Sequence, residues 1–143
     1  MPHKILVAYD GTNAADRAFE VALDVARRFD AHLHVVAAAS TAEIETHVML
    51  DRLRVECAAY LETLRARGAA ANVDVEVEVS EGIPTWEIAT VARRIGADLI
   101  VIGHRQRGLL RRCMEASVGK RVLERAPCDV LVADSRSSGG PAR

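Results

Sequence analysis

Apolar residues follow two alternating patterns along this chain. Short, nearly continuous apolar runs are typical of buried strands in a parallel sheet, and they occur at His3–Tyr9, Leu33–Ala39, Leu99–Ile102 and Asp129–Ala133. Apolar residues at helical spacing lie between these runs, and they predict helices over Ala14–Phe29, over Thr41–Arg67, from Pro84 to near Gly96, and over Ser117–Arg125. Strands that alternate with helices predict a doubly wound parallel sheet with helices on both faces.

A fifth strand has a different pattern. Over Val73–Val79, valines alternate strictly with Asp74, Glu76 and Glu78. One face of this strand is therefore expected to be exposed to solvent, which places the strand at a sheet edge. Gly68 is expected to end the helix before it. Together with the four apolar strands, this strand predicts one five-stranded domain over 1–134. The Ser-, Gly-, Pro- and Arg-rich residues 135–143 are expected to form a disordered tail.

Composition narrows the class of protein. Half of the 143 residues are apolar, 3% are aromatic and the net charge is −1. This balance argues against nucleic-acid or membrane-surface binding, and no apolar run reaches the ~18–20 residues that span a bilayer. Without a signal-peptide pattern and with three cysteines at no metal-like spacing, the expected location is the cytoplasm, with reduced thiols.

Two segments could carry chemistry. Asp10 opens a turn directly after the first strand. Its carboxylate could accept from a ribose hydroxyl, could face a metal ion on a phosphate, or could simply bind turn N–H groups. The segment from Gly103 to Ser117 is a long loop with four arginines that leads into a helix. It could bind an anion through arginines and helix N–H groups, or it could be a solvated basic loop with Ser117 as an ordinary N-cap.

Three segments together resemble the universal stress protein family: Lys4–Thr12, Gly96–Gly103 and Ser117–Val132. The resemblance implies strand order 3-2-1-4-5 in an adenine nucleotide alpha-hydrolase-like fold, with a crevice between the Asp10 turn and the Gly103 loop. It also implies a homodimer joined through the last strand, at Asp129, Val130, Leu131, Val132 and Ala133.

The ATP-binding branch of that family carries Gly-x2-Gly-x9-Gly-Ser/Thr after the fourth strand. Here Gly103 and Ser117 match, whereas Gln106 and Ala116 stand where the branch has glycine. The resemblance implies a nucleotide site lined by Ala8, Tyr9, Asp10, Val36, Ala37, Gly103, Arg105, Gln106, Arg107, Ala116, Ser117 and Val118. Its ligand would be ATP or another adenine nucleotide, with Mg²⁺ only alongside a polyphosphate.

The leading hypothesis is a homodimeric regulatory protein that binds an adenine nucleotide weakly or in altered form, with at most slow ATPase activity. The alternative is a nucleotide-free interaction module of the same fold that acts through a protein partner. No catalytic residue is predicted, because the spacing supports no Ser-His-Asp or Cys-His arrangement. No metal site is predicted, because His32 and His34 share a strand face without an evident third ligand.

Overall fold

The computed structural model describes residues 2–40, 47–104 and 122–134. Five parallel strands form one sheet in the order β3-β2-β1-β4-β5. The elements along the chain are β1 (Lys4–Ala8), α1 (Asn13–Phe29), β2 (His32–Ser40), α2 (His47–Ala70), β3 (Val75–Gly82), α3 (Pro84–Ile95), β4 (Leu99–His104) and β5 (Asp129–Asp134). The predicted fold and strand order are therefore confirmed, as is the position of β3 at an edge.

Two apolar layers sandwich the sheet. Helices α1 and α2 cover one face, where Phe19, Leu61 and Leu64 are buried against Leu33 and Val35. Helix α3 covers the other face together with the helical residues 122–125, and Ile88, Ala92 and Val122 pack there on strands β1, β2 and β4. Because the central residues of β1 and β2, Ile5–Val7 and Val35–Ala37, are buried between the two layers, these positions are apolar.

The ends of α1 and α3 follow from local chemistry. Thr12 is the N-cap of α1, since its Oγ1 accepts from the Ala15 N–H at 3.2 Å. Pro84 occupies the first turn of α3, and Gly96 ends that helix in the left-handed conformation with φ +68°. Both helices match their predicted positions within one residue.

The predicted end of α2 is wrong. The helix passes through Gly68 and ends at Ala70, and Asn72 takes the left-handed conformation with φ +58°. Gly68 instead permits close packing, because a Cβ there would lie 2.1 Å from Val75 Cγ2. Strand β3 accordingly starts at Val75, not Val73, and it extends past Val79 to Gly82. The predicted helix start at 41–46, helical residues 117–121 and the tail 135–143 lie outside the described residues.

Candidate functional site

The strand order reverses between β1 and β4, and this topology predicts a ligand crevice at the carboxyl ends of the two strands. Ligands of doubly wound sheets bind at such points. Asp10 follows the carboxyl end of β1, and Gly103 is the next-to-last residue of β4. The structure thus brings together two positions that are 93 residues apart in the sequence.

The Asp10 side chain organises the turn into α1. Its Oδ1 accepts from the Thr12 N–H at 3.1 Å and from the Thr12 hydroxyl, while Gly11 adopts φ +80°. The Thr12 hydroxyl in turn caps the helix. The turn-binding role foreseen for Asp10 is therefore present. Asp10 is also exposed to solvent.

Gly103 allows β4 to lie close to the start of α1. A Cβ at this position would lie 2.2 Å from the Ala14 carbonyl oxygen and 2.4 Å from its carbonyl carbon. Backbone atoms cannot yield as a flexible side chain can, so the first turn of α1 reaches β4 only because residue 103 is glycine. This contact holds the N-terminus of α1, with its partial positive charge, beside the end of β4.

Ala8, Val36 and Ala37 belong to the sheet that supports the crevice. Val36 and Ala37 are 0% and 1% exposed, so their side chains lie in the core. The Val36 carbonyl accepts from the Tyr9 N–H at 2.9 Å. Strand β2 continues to Ser40, so any contact of Val36 or Ala37 with a ligand would involve backbone atoms at the strand edge.

Tyr9 points away from the solvent, between α1 and α2. It is 7% exposed, and its hydroxyl donates to the Asp16 carboxylate. Burial and this hydrogen bond raise the pKa of the Tyr9 phenol well above its usual range. The Tyr9 side chain therefore links the end of β1 to α1, and a ligand would contact the backbone of Tyr9 and not its side chain.

Sequence reasoning missed Tyr60 of α2. Its ring lies 5.3 Å from that of Tyr9, and its Cε1 is 3.7 Å from the position of a Cβ on Gly11. The Tyr60 hydroxyl donates to the buried thiol of Cys57 at 3.0 Å. No spacing in the sequence could reveal this contact, since α2 reaches the Asp10 turn only through the fold.

Six predicted site residues lie outside the described residues: Arg105, Gln106, Arg107, Ala116, Ser117 and Val118. Their role stays a prediction. The described part of the site consists of the Asp10 turn, the start of α1, the carboxyl ends of β1 and β2, and Gly103.

The predicted dimer strand, β5, forms the second edge of the sheet. Leu131 and Val132 are 37% and 45% exposed, Ala133 is buried, and Val130 packs against the α3 layer. The strand therefore presents apolar side chains at an edge. Among the described residues no helix is long and apolar enough to cross a membrane.

Comparison with known proteins gives consistent matches. The sequence profile of the Universal stress protein family matches residues 1–134. A putative universal stress protein of Staphylococcus aureus strain USA300 is 33% identical over 135 residues, covering 90% of this chain and 81% of the relative.

Solved structures agree. Universal stress protein UspA of Lactobacillus plantarum has a TM-score of 0.77 at 29% identity, covering 92% of this chain and 97% of its own. A universal stress family protein of Arabidopsis thaliana, solved with AMP bound, shares the fold with a TM-score of 0.71 at 20% identity, covering 93% and 92% of the two chains. This chain belongs to the universal stress protein family.

Proposed function

We propose that this protein binds an adenine nucleotide, weakly or in altered form, in the crevice between Asp10 and Gly103. It would act in the cytoplasm as a homodimeric regulatory protein without fast turnover. The main support for the proposal is the close contact of Gly103 with the backbone of Ala14, in the first turn of α1. The Asp10 carboxylate binds the residue that caps the same helix. A helix N-terminus favours phosphate, and a carboxylate favours ribose hydroxyls. The Arabidopsis relative with AMP bound is consistent with an adenine nucleotide on this fold.

Titration calorimetry with ATP, ADP and AMP tests the proposal. We expect heat of binding with at least one of them, and a loss of affinity of about tenfold in Asp10→Asn, because a charge-assisted hydrogen bond is worth about 1.5 kcal/mol or more. The asparagine oxygen can still accept from the Thr12 N–H, so the turn should survive. Asp24→Asn, at an exposed site on α1, is the matched control and should bind like the wild type.

Absence of binding by the wild type at millimolar concentrations of all three nucleotides would refute the proposal. Equal affinity of Asp10→Asn and the wild type would refute the role of Asp10 alone. Where the bound nucleotide is a polyphosphate, we expect Mg²⁺ to strengthen binding.

A second candidate function is a nucleotide-free interaction module that acts on a protein partner. It is favoured by Gln106 and Ala116, which stand where the ATP-binding branch of the family has glycine. Glycine lets backbone approach phosphate closely. If the double variant Gln106→Gly with Ala116→Gly binds ATP and the wild type does not, the natural protein belongs to this second class. Binding by both proteins excludes it.

A further inference from the structure

The outer surface between α3 and the helical residues 122–125 carries the single tryptophan of the chain. Trp86 lies in the first turn of α3 and is 54% exposed, and Ile83, the N-cap of that helix, is 53% exposed. The Trp86 N–H donates to the Ile83 carbonyl at 2.9 Å, so the two residues are neighbours across one helical turn. Trp86 and Ile83 thus place two large apolar side chains next to each other in solvent.

Two arginines adjoin this apolar pair. The guanidinium carbon of Arg125 lies 4.6 Å from the centroid of the Trp86 ring, which is the geometry of a cation–π contact. Arg93 of α3 donates from Nη2 to the Arg125 carbonyl at 3.0 Å. These contacts join both arginines and the tryptophan into one cluster. We call Ile83, Trp86, Arg93 and Arg125 the Trp86 surface.

Helical spacing separates this surface from the other charges of α3. Trp86 and Arg93 are seven residues apart, so they lie on the same flank of the helix. The opposite flank faces β3, and there the side chains of Glu87 and Arg94 bind side chains of that strand. The charged groups of that flank are therefore engaged within the fold, whereas the Trp86 flank faces residues 122–125.

The positive charge of the Trp86 surface is not compensated by the described residues. Across 2–40, 47–104 and 122–134, Arg93 binds a carbonyl and Arg125 a ring, and neither pairs with a carboxylate. Both residues are exposed, as is Glu124. Consecutive helical side chains diverge by about 100°, so Glu124 does not share the flank from which Arg125 reaches Trp86. Since an arginine carries five N–H donors, most donors of this pair are available to a ligand.

These side chains are the types that stabilise protein–protein interfaces most. Tryptophan and arginine are enriched among the residues that dominate binding energy. An exposed indole offers a large apolar area, and a guanidinium binds a carboxylate through two parallel hydrogen bonds. The complementary ligand is therefore a segment in which carboxylates stand beside an apolar side chain.

A nucleic acid or an anionic membrane fits this surface less well. Both attract proteins through broad positive charge, whereas this chain has a net charge of −1. On α3 itself, Arg94 is neutralised by Glu78. The uncompensated charge is thus confined to two arginines around one apolar pair, which suits a short peptide segment better than an extended polyanion.

We infer that the Trp86 surface binds an acidic, partly apolar segment of a protein partner. Trp86 and Ile83 cover the apolar side chain of that segment, and Arg93 and Arg125 pair with its carboxylates. Arg125 can keep its contact with the ring, because a planar guanidinium that stacks through its face still donates from its edge. The surface lies outside the described part of the candidate nucleotide site, so the inference is independent of nucleotide binding.

Selection from a random peptide library displayed on phage tests the chemistry of the partner. The whole chain is the target, and peptides that also bind the double variant Arg93→Gln/Arg125→Gln are removed. We expect the retained peptides to be enriched in Asp and Glu beside Leu, Ile or Phe. The matched control, Arg28→Gln/Arg65→Gln, removes two exposed arginines from α1 and α2 and should bind these peptides like the wild type.

Trp86 fluorescence locates the binding, because the chain has no other tryptophan. Titration with a synthetic peptide of the most enriched sequence should shift the Trp86 emission to shorter wavelength as the exposed part of the ring leaves water. We expect Arg93→Gln/Arg125→Gln to raise the dissociation constant about tenfold or more, since charge-assisted hydrogen bonds are lost. A peptide with Gln for Glu and Asn for Asp should show the same loss on the wild type, which makes the test independent of how the variant folds.

Several outcomes would overturn the inference. One is a library without peptides that prefer the wild type to the double variant, and another is a set of retained peptides without acidic residues. A shift of Trp86 emission by phosphatidylglycerol vesicles but not by the peptide would assign the surface to a membrane. A shift with protein concentration alone would assign it to a second copy of this chain. Failure in any of these ways would leave the proposed nucleotide site untouched, because no nucleotide enters the experiment.

Discussion

At the scale of single residues, Gly103 is the position at which the sequence most directly shapes the site. The side chains of Asp10 and Thr12 bond to each other and to the start of α1, yet that turn meets β4 only because residue 103 lacks a Cβ. The family pattern identifies Gly103 as a glycine of the nucleotide-binding motif. The structure gives it an additional role, contact with the Ala14 carbonyl, which no local pattern encodes.

Gly103→Ala should therefore destabilise the protein and weaken nucleotide binding together. The added methyl would meet backbone atoms at 2.2 and 2.4 Å, and overpacking of this kind costs about 1–3 kcal/mol or more. Urea unfolding measures the loss. Gly96→Ala is the matched control, because a Cβ at residue 96 would meet nothing within 4 Å. Its only expected cost is the backbone strain of an alanine at φ +68°, which is about 1 kcal/mol. Equal losses in both variants would show that the Gly103 contact is not tight.

At the scale of elements, most of the sheet could be predicted from the sequence. The inner strands β1, β2 and β4 each contain a short apolar run, and the alternation in β3 indicates the edge position that the structure shows. What failed was the end of α2. Gly68 looks like a helix terminator, whereas it is the residue that lets α2 contact Val75. Such a requirement comes from a neighbouring strand and leaves no periodic signal.

The candidate site, like the fold, was only partly predictable from the sequence. Asp10 and Gly103 follow strands whose carboxyl ends share an edge, so their proximity follows from the predicted topology. Tyr60 comes from α2 and was not foreseen. The sequence also does not show that Glu76 and Glu78 lie beside His34. Their proximity follows from the register of β2 and β3, which no local pattern gives.

At the scale of the whole molecule, the two edges of the sheet differ in chemistry. The β3 edge carries ion pairs from Arg94 of α3 to Glu78 and from Arg54 of α2 to Glu81, and charges at an edge discourage pairing with another chain. The β5 edge carries the exposed apolar residues Leu131 and Val132. This contrast is consistent with the proposal that the chain forms a homodimer through β5.

Val132→Lys tests that assembly. If β5 joins the proposed homodimer, the substitution places an ammonium group in the interface of both protomers, and burial of an unpaired charge costs several kcal/mol. We expect the wild type to sediment at twice the mass of one chain and the variant to dissociate with a dissociation constant at least about 100-fold higher. Val55→Lys, at a valine that is 69% exposed on α2, should leave the mass unchanged, because it adds the same charge away from the β5 edge. A wild type that sediments as a monomer, or a Val132→Lys variant that keeps the dimer mass, would rule out β5 as the interface.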